Sequence, residues 1–210
     1  MFLLIKFTLL YAVVLMLVAL GGMFSERSGV INIALEGIMA IGGLAGVFVL
    51  ALCGDSLPSG VLVAVSILAS AVAGILYSLL LGFSAITLKA DQTIGGTALN
   101  MLAPAFTLFF IDLLCKQQYM NMPYGTVNWF MIKNPELAES GSFLAAFFDQ
   151  AYISTYLMIA LFVILSIVLY KTKFGLNLRA CGEHPQAADS VGINVKKMRY
   201  IGTVISGALG

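Results

Sequence analysis

Uncharged apolar stretches of about 20 residues recur along this chain and constrain its fold more than any other feature. A helix that rises 1.5 Å per residue needs about 20 apolar residues to cross about 30 Å of hydrocarbon. The stretches are continuous and rich in Leu, Ala, Gly and Met, whereas a transmembrane barrel shows alternating strands of about ten residues. The sequence therefore predicts an all-α fold, a polytopic transmembrane helical bundle.

Composition agrees with this class and argues against several others. Apolar residues make up 60% of the chain and charged residues 10%, which is unlike an ordinary soluble domain. The net charge of +1 and the lack of a basic surface interleaved with aromatic residues argue against nucleic-acid binding. Cys53, Cys115 and Cys181 stand far apart, so neither a zinc site nor a redox pair is indicated.

Five membrane crossings are predicted, with a sixth beginning near Met198. Their predicted bounds are 5–24, 30–52, 57–82, 97–114 and 151–171. The first could instead be a signal peptide, but its apolar core is long and equally apolar segments follow, which favours a retained helix. The last apolar run reaches residue 210 after about a dozen residues, too few to span. We therefore expect one transmembrane domain, 1–210, that is truncated at its C-terminus.

Orientation follows from the distribution of Lys and Arg, which concentrate in 171–199 and are sparse in 112–150. By the positive-inside rule, we expect a cytoplasmic loop at 172–197 and an extracytoplasmic loop at 112–150. Counting backwards places the N-terminus outside, although Lys6 argues weakly against that step.

Small residues occupy every fourth position of the third crossing. They are Ser66, Ser70, Gly74, Ser78 and Gly82, and Gly42 and Gly46 repeat the spacing on the second crossing. Small side chains let helix backbones approach closely where lipid gives no hydrophobic drive between helices. The spacing therefore predicts packing seams of a compact bundle.

Polar residues within crossings are costly and indicate function. Asn32 and Glu36 stand four residues apart at the cytoplasmic end of the second crossing, which predicts that they share one helical face. They could line a translocation path at a broken helix. Alternatively, they form a helix-end pair bonded to a neighbour such as Arg27.

A second polar cluster, 89–100, lies between two apolar segments and contains Gln92, Thr97 and Asn100. We expect the pair Gly95 and Gly96 to break a helix, so that a helix restarting at Thr97 would direct free backbone N–H groups at a ligand. The alternative is an ordinary cytoplasmic turn capped by Asp91. The candidate substrate-path residues are thus Asn32, Glu36, Gln92, Thr97 and Asn100.

The third segment, 174–194, is amphipathic and flanked by basic residues. Pro185 can open a short helix over 186–190 that Gly192 closes. Such a helix suits docking into a soluble partner, and a solvated loop is the alternative. Enzymatic function is disfavoured, because His184 is the only histidine and no nucleotide-binding glycine loop is present. No catalytic residue, metal ligand or cofactor is predicted.

These three segments, in this order, resemble the ABC importer permeases of the branched-chain amino acid, ribose and nucleoside type, and most closely the simple-sugar and purine-nucleoside permeases. The matching stretches are Gly22–Gly37, Ala90–Asn100 and Gly175–Asn194. The resemblance implies that the third stretch is a coupling loop that contacts an ATP-binding subunit. The residues that carry this role are Gly175, Arg179, Gly182, Glu183, Pro185, Ala187, Ala188 and Gly192.

The resemblance also implies import of nucleosides or simple sugars by alternating access across a bacterial cytoplasmic membrane, with branched-chain amino acids or a flavin as more distant substrates. The implied partners are a cytoplasmic ATP-binding subunit, a second permease subunit and an extracytoplasmic substrate-binding protein. The family continues with further crossings after Ser206. Two competing hypotheses are a membrane scaffold that transports nothing, and a secondary transporter, which the scarcity of intramembrane acids disfavours.

Overall fold

The computed structural model describes residues 2–53, 57–116, 131–132 and 151–210. The helices are α1 (Phe2–Arg27), α2 (Leu35–Cys53), α3 (Ser59–Gly82), α4 (Gln92–Cys115), α5 (Ile153–Lys171), α6 (Lys173–Glu183), α7 (Pro185–Ser190) and α8 (Val195–Leu209). A π-helical turn, Phe83–Thr87, continues α3. Two short strands, β1 (Met131–Ile132) and β2 (Ala151–Tyr152), pair antiparallel. Helix dominates, so the predicted all-α class is confirmed.

Three helical segments of the described residues are long and apolar enough to cross a membrane: Leu35–Cys53, Gly60–Thr87 and Gln92–Leu114. A fourth is possible if Thr155–Lys171 and Lys173–Glu183, which meet at 67°, count as one broken span. The chain is therefore an integral, polytopic membrane protein. Helices also cover the first and sixth predicted crossings, but the count of five to six spans stays a prediction. Most of the predicted 112–150 loop lies outside the described residues.

The predicted packing seams are confirmed along α3. An added Cβ on Gly46 would overlap the Ser70 hydroxyl, and one on Gly74 would overlap the backbone carbonyl of Gly207. Helix α3 thus contacts α2 through one part of its small-residue series and α8 through another, and α8 packs between α1 and α3. Close approach of this kind is what small residues provide between membrane helices.

Two apolar clusters hold the bundle together. Ile38, Ile41, Tyr77 and Ala103 join α2, α3 and α4, while a cluster around Phe24 joins α1, α5 and α6. The Tyr77 hydroxyl, on α3, donates to the backbone oxygen of Leu99 on α4 at 2.7 Å. This bond gives the buried phenol a partner and fixes the side of α4 that faces α3.

The predicted second crossing begins at residue 30, whereas α2 begins at Leu35. The intervening residues, 28–34, which we call the connector, form two turns joined by residues without regular secondary structure. Gly29 is in the left-handed region with φ of +88°, and the Ser25 hydroxyl donates to the Val30 carbonyl oxygen at 2.7 Å. Since glycine adopts this conformation without steric cost, the chain leaves α1 sharply and restarts only at α2.

The prediction that Asn32 and Glu36 share a helical face is therefore wrong. Asn32 lies in the connector, outside any helix, and is 6% exposed. Glu36 lies in the first turn of α2 and is exposed. The spacing of four residues does not place these side chains on one face, because the backbone between them is not helical throughout.

The predicted break at Gly95 and Gly96 is also wrong, because α4 runs through both glycines from Gln92. The Asp91 carboxylate accepts from the backbone N–H of Thr93 at 2.7 Å and of Ile94 at 3.2 Å. Of the alternative, an ordinary turn capped by Asp91, the cap is confirmed, but it starts helix α4 and the residues that follow are helical. The glycine pair has a packing role, since a Cβ on Gly96 would lie 2.8 Å from the Ile33 Cβ of the connector.

The 172–197 segment, predicted as a loop, contains the two helices α6 and α7 and the start of α8. Pro185 is the first residue of α7, and Gly192 follows that helix with φ of +86°. The predicted short helix is thus confirmed. The Asn194 side chain then accepts from the Lys197 N–H at 2.9 Å and starts α8.

Candidate functional site

The amino end of α2 is capped by a side chain from a different helix. Gly37 is the third residue of α2, so its N–H has no acceptor within the helix. Ala34, just before α2, has no side-chain oxygen to serve as the usual cap. Instead, Asn100 of α4 accepts from the Gly37 N–H at 2.8 Å.

The same amide group of Asn100 also binds the connector. Its Nδ2 donates to the backbone oxygen of Ile33 at 2.7 Å. A Cβ on Gly37 would lie 3.1 Å from Asn100 Oδ1 and 3.1 Å from the Ala103 Cβ, so glycine at this position lets α4 come close enough to bond. Asn100 therefore ties the connector and α2 to α4 through both ends of its amide.

Two further amides hold the connector. Gln92 Oε1 accepts from the Ile31 N–H at 2.7 Å. Asn32 Nδ2 donates to the Ser206 hydroxyl at 2.8 Å, and its Oδ1 accepts from the Ala34 N–H at 3.1 Å. Three of the five candidate substrate-path residues thus have structural partners, and the structure brings all three to the connector. The alternative partner suggested for Asn32, Arg27, is replaced by Ser206.

The other two candidates, Glu36 and Thr97, are exposed. Along α2, the exposed residues Glu36, Met39 and Gly43 are spaced by three and four, which places them on one face. Along α4, exposed positions spaced by three and four form a second face. They are Thr93, Thr97, Met101, Pro104 and Leu108.

Both faces belong to α2 and α4, which pack side by side. Helices α2 and α4 run in the same direction, because Gly96 is beside Ile33 while Ala103 is beside Gly37, farther along both chains. Helix α3 covers one side of this pair, as the bond from Tyr77 to Leu99 shows. We call the exposed surface of this helix pair, made up of Glu36, Met39 and Gly43 and of the α4 face, the α2/α4 groove.

At the other candidate site, two glycines shape the junction of α5, α6 and α1. A Cβ on Gly175 would overlap the backbone oxygen of Leu169, so glycine permits the sharp bend into α6. A Cβ on Gly182 would overlap the backbone oxygen of Arg27, so glycine lets α6 lie on the end of α1. Both predicted coupling residues therefore determine the path of the backbone.

Arg179 and Glu183 line a cavity at this junction. Its volume is about 360 Å³, and its walls also include Met23, Glu26, Arg27 and Gly182. The Arg179 guanidinium lies 5.3 Å from the ring centre of Tyr170, and its Nε donates to the Gly175 carbonyl at 3.4 Å. Arg179 thus packs against α5 as a cation over an aromatic face.

The outer surface of this region belongs to α7 and its flanks. Ala188 is buried at 3% exposure and anchors α7, whereas Glu183 and Ala187 are exposed and Pro185 is partly exposed. Val191 is 75% exposed and is the residue that the sequence reasoning missed. Its signal in the sequence was an aliphatic side chain between Ser190 and Gly192.

The described residues contain no group of three or more His, Cys, Asp or Glu side chains able to hold a metal ion. Cys181 is fully buried in α6. Burial raises the pKa of its thiol, and the positive charge of Arg199 acts in the opposite direction.

Comparison with known proteins places these features in context. A family model described as branched-chain amino acid transport system / permease component matches residues 4–210. The guanosine ABC transporter permease protein NupQ of Bacillus subtilis (strain 168) is 46% identical over 97% of this chain and 63% of its own length. The nucleoside ABC transporter permease protein NupC of Lactococcus lactis subsp. cremoris (strain MG1363) is 38% identical over 96% of this chain and 62% of its own.

A third relative is the putative glucose ABC transporter permease protein TsgC13 of Haloferax volcanii, 33% identical over 97% of this chain and 59% of its own length. The chain thus spans about three fifths of the curated relatives that it matches. No solved structure matches the chain.

Proposed function

The chain belongs to the branched-chain amino acid transport permease family, and from this premise we propose that it is the membrane-spanning subunit of an ATP-driven nucleoside importer. The observation that carries the proposal is the 46% identity, over 97% of the chain, to a guanosine permease. Simple sugars are the second candidate substrate, favoured by the 33% identical relative named as a putative glucose permease. A permease of this class contributes no catalytic residues, because ATP hydrolysis takes place on a separate chain.

We propose that the α2/α4 groove is the part of the translocation path that this chain supplies. The Glu36 carboxylate can accept hydrogen bonds from ribose hydroxyls or from base N–H groups, and the Thr97 hydroxyl, which donates to the Thr93 carbonyl oxygen, can also accept one. Met39 and Met101, both exposed, offer flexible apolar contacts to a base. Asn32, Gln92 and Asn100, by contrast, support the wall of this groove through the connector.

We also propose that α6 and α7 dock a cytoplasmic ATP-binding subunit. The exposed Glu183, Ala187 and Val191 form the contact surface, with partly exposed Pro185 beside them. Gly175, Gly182, Ala188 and Gly192 set the shape of the two helices, and Arg179 holds α6 against Tyr170. ATP-driven closure of the partner would move α6 and rock the helices around the path, as alternating access requires.

The same proposal includes two further partners, a second permease subunit and an extracytoplasmic substrate-binding protein. It places the complex in a bacterial cytoplasmic membrane. The family match and the membrane-length helices support this placement.

Transport in a reconstituted complex tests the function. The full-length permease, purified with its ATPase and binding protein and placed in proteoliposomes, should take up radiolabelled guanosine only with ATP. Unlabelled nucleosides should compete more strongly than glucose or ribose. Binding of the partners without guanosine uptake, and without stimulation of ATP hydrolysis by substrate, would instead support a scaffold that transports nothing.

Groove residues give a sharper version of this test. Thr97→Val should lower the affinity for guanosine by about fivefold or more, because it removes a hydroxyl that faces the groove. Thr107→Val is the matched control. Both hydroxyls donate to a backbone oxygen of their own helix at 2.8 Å, but Thr107 stands on the α4 side that packs toward α2. Equal effects of the two substitutions would argue against the groove as the substrate path.

A further inference from the structure

We infer that the connector transmits the movement of α6 to the α2/α4 groove, and that Asn32, Gln92 and Asn100 are the positioning residues that couple the two. The inference rests on the proposed function, because it assumes that a partner ATPase moves α6. It assigns to the three amides a role different from contact with substrate.

The first half of the connector is in direct backbone contact with α6 and packs closely against α8. A Cβ on Gly29 would lie 3.2 Å from the Gly182 Cα of α6 and 3.2 Å from the Arg199 Nη2 of α8. A Cβ on Gly202 of α8 would lie 2.6 Å from the Ser28 hydroxyl. Because no side chain separates Gly29 from Gly182, a displacement of α6 cannot be absorbed by a rotamer change at that contact.

The same half of the connector is buried. Ser28 is 0% exposed and Val30 is 1% exposed. The Arg199 Nε is buried beside it without a hydrogen-bond partner in the described part of the chain. An unpaired buried donor is costly, so the surrounding packing must hold Arg199 against the connector turn.

The second half of the connector is bonded to α4 and α8. Side chains from α4 and α8 form hydrogen bonds with three consecutive connector residues. Gln92 bonds to Ile31, Ser206 to Asn32, and Asn100 to Ile33. The same Asn100 amide caps Gly37 at the start of α2. A shift of the connector is therefore passed to both helices that border the groove.

These contacts form a continuous route from α6 through Gly29 and Ile33 to α4 and α2. A purely structural role would make transport and ATP hydrolysis fall together as folded protein is lost. A positioning role predicts that ATP hydrolysis continues while transport per ATP falls. The ratio of the transport rate to the rate of ATP hydrolysis is thus the measurement that distinguishes the two roles.

The test uses the full-length permease in its complex and compares Gln92→Met with Gln92→Glu. Both substituted side chains are close to glutamine in length, but only glutamate keeps an oxygen that can accept from the Ile31 N–H. We expect Gln92→Met to keep ATP hydrolysis within about twofold of the wild type and to lower guanosine transported per ATP by about fivefold or more. Gln92→Glu should retain the wild-type ratio, and Asn100→Ala should lower it at least as much as Gln92→Met.

A second readout needs no substrate. Gly43 faces the groove with no atom within 4 Å of an added Cβ, so a Gly43→Cys reporter, in a chain whose native cysteines are replaced by Ser, measures groove accessibility to a thiol reagent. In the wild-type background, ATP should change the labelling rate, and Gln92→Met should abolish that change.

Each outcome decides the inference. An unchanged transport ratio and an unchanged ATP response in both Gln92→Met and Asn100→Ala would overturn it and leave the proposed function standing. Parallel loss of transport, hydrolysis and folded protein would overturn it in favour of a structural role. Absence of guanosine transport by the wild type, with the ATP response at Gly43→Cys intact and dependent on Gln92, would reject the substrate but support the transmission route.

Discussion

The small-residue series of α3 and the connector hold helices together by opposite means. In the α3 series, Ser66, Ser70, Gly74, Ser78 and Gly82, the hydroxyls of Ser66 and Ser78 donate to carbonyls of their own helix, and the contact between helices is close packing of backbones. In the connector, side-chain amides bridge different elements, and the bond from Gly37 to Asn100 joins residues that are 63 positions apart.

This difference implies that the α3 series is rigid and that the connector can rearrange. Close packing has no alternative partner, so an added methyl group must displace a backbone. A hydrogen bond between elements can be broken and remade at modest net cost, because water or another polar group can replace the partner when the site opens. The α3 series therefore suits a fixed frame and the connector suits a moving joint, which leads to three predictions about stability.

The largest effect is expected from Gly74→Ala. The added Cβ would overlap the backbone oxygen of Gly207 and lie 3.2 Å from the Ile38 Cγ2. Because backbone must shift, we expect the substitution to destabilise the full-length protein by about 2 kcal/mol or more. Gly43→Ala is the matched control, since nothing lies within 4 Å of the added atom. Thermal unfolding in detergent compares them, and equal melting temperatures would show that the α3 series is not tightly packed.

An intermediate effect is expected from Asn100→Ala. The substitution leaves the Gly37 N–H and the Ile33 carbonyl without their present partners. We expect a loss of about 1–3 kcal/mol in the free energy of unfolding, measured by denaturant titration in mixed micelles. Thr107→Val removes only a bond within α4 and should cost less. A smaller loss for Asn100→Ala than for Thr107→Val would contradict the capping role.

The smallest effect is expected from serines, and it distinguishes the two regions directly. Ser66→Ala removes a hydroxyl that donates only to Leu62 of its own helix, so stability should change by less than about 0.5 kcal/mol. Ser206→Ala removes the acceptor of the Asn32 amide and should cost about 1 kcal/mol. Both serines are buried, at 7% and 0% exposure, so burial does not explain a difference. Equal unfolding midpoints for Ser66→Ala and Ser206→Ala would show that hydrogen bonds between elements stabilise the connector no more than they stabilise the α3 series.

Sequence predicted the features that depend on local spacing. The every-fourth pattern of α3 predicted its packing seams, and Pro185 with Gly192 predicted α7, because both signals are contained within a few residues. Sequence reasoning failed where distant residues decide the local structure. Helix α2 starts at Leu35 because Asn100 supplies its cap, and no spacing near residue 35 indicates that partner.

The two other misses have related causes. Gly95 and Gly96 were interpreted as a helix break, but glycine in a helix can also serve a close contact, and the Ile33 neighbour of Gly96 is known only from the fold. Val191 was missed because an exposed aliphatic residue is ordinary on its own. Its possible role became apparent only when the structure showed it exposed just beyond the end of α7, four residues after exposed Ala187.

The central claim is that cross-element amide bonds hold the connector while the α3 series is held by packing. Hydrogen exchange of the full-length protein in nanodiscs, followed by mass spectrometry of peptides covering 31–37 and 66–74, tests this claim most directly. Asn100→Ala should accelerate exchange in 31–37 by about tenfold or more and leave 66–74 unchanged. Exchange in 31–37 that is as slow in Asn100→Ala as in the wild type would contradict the account.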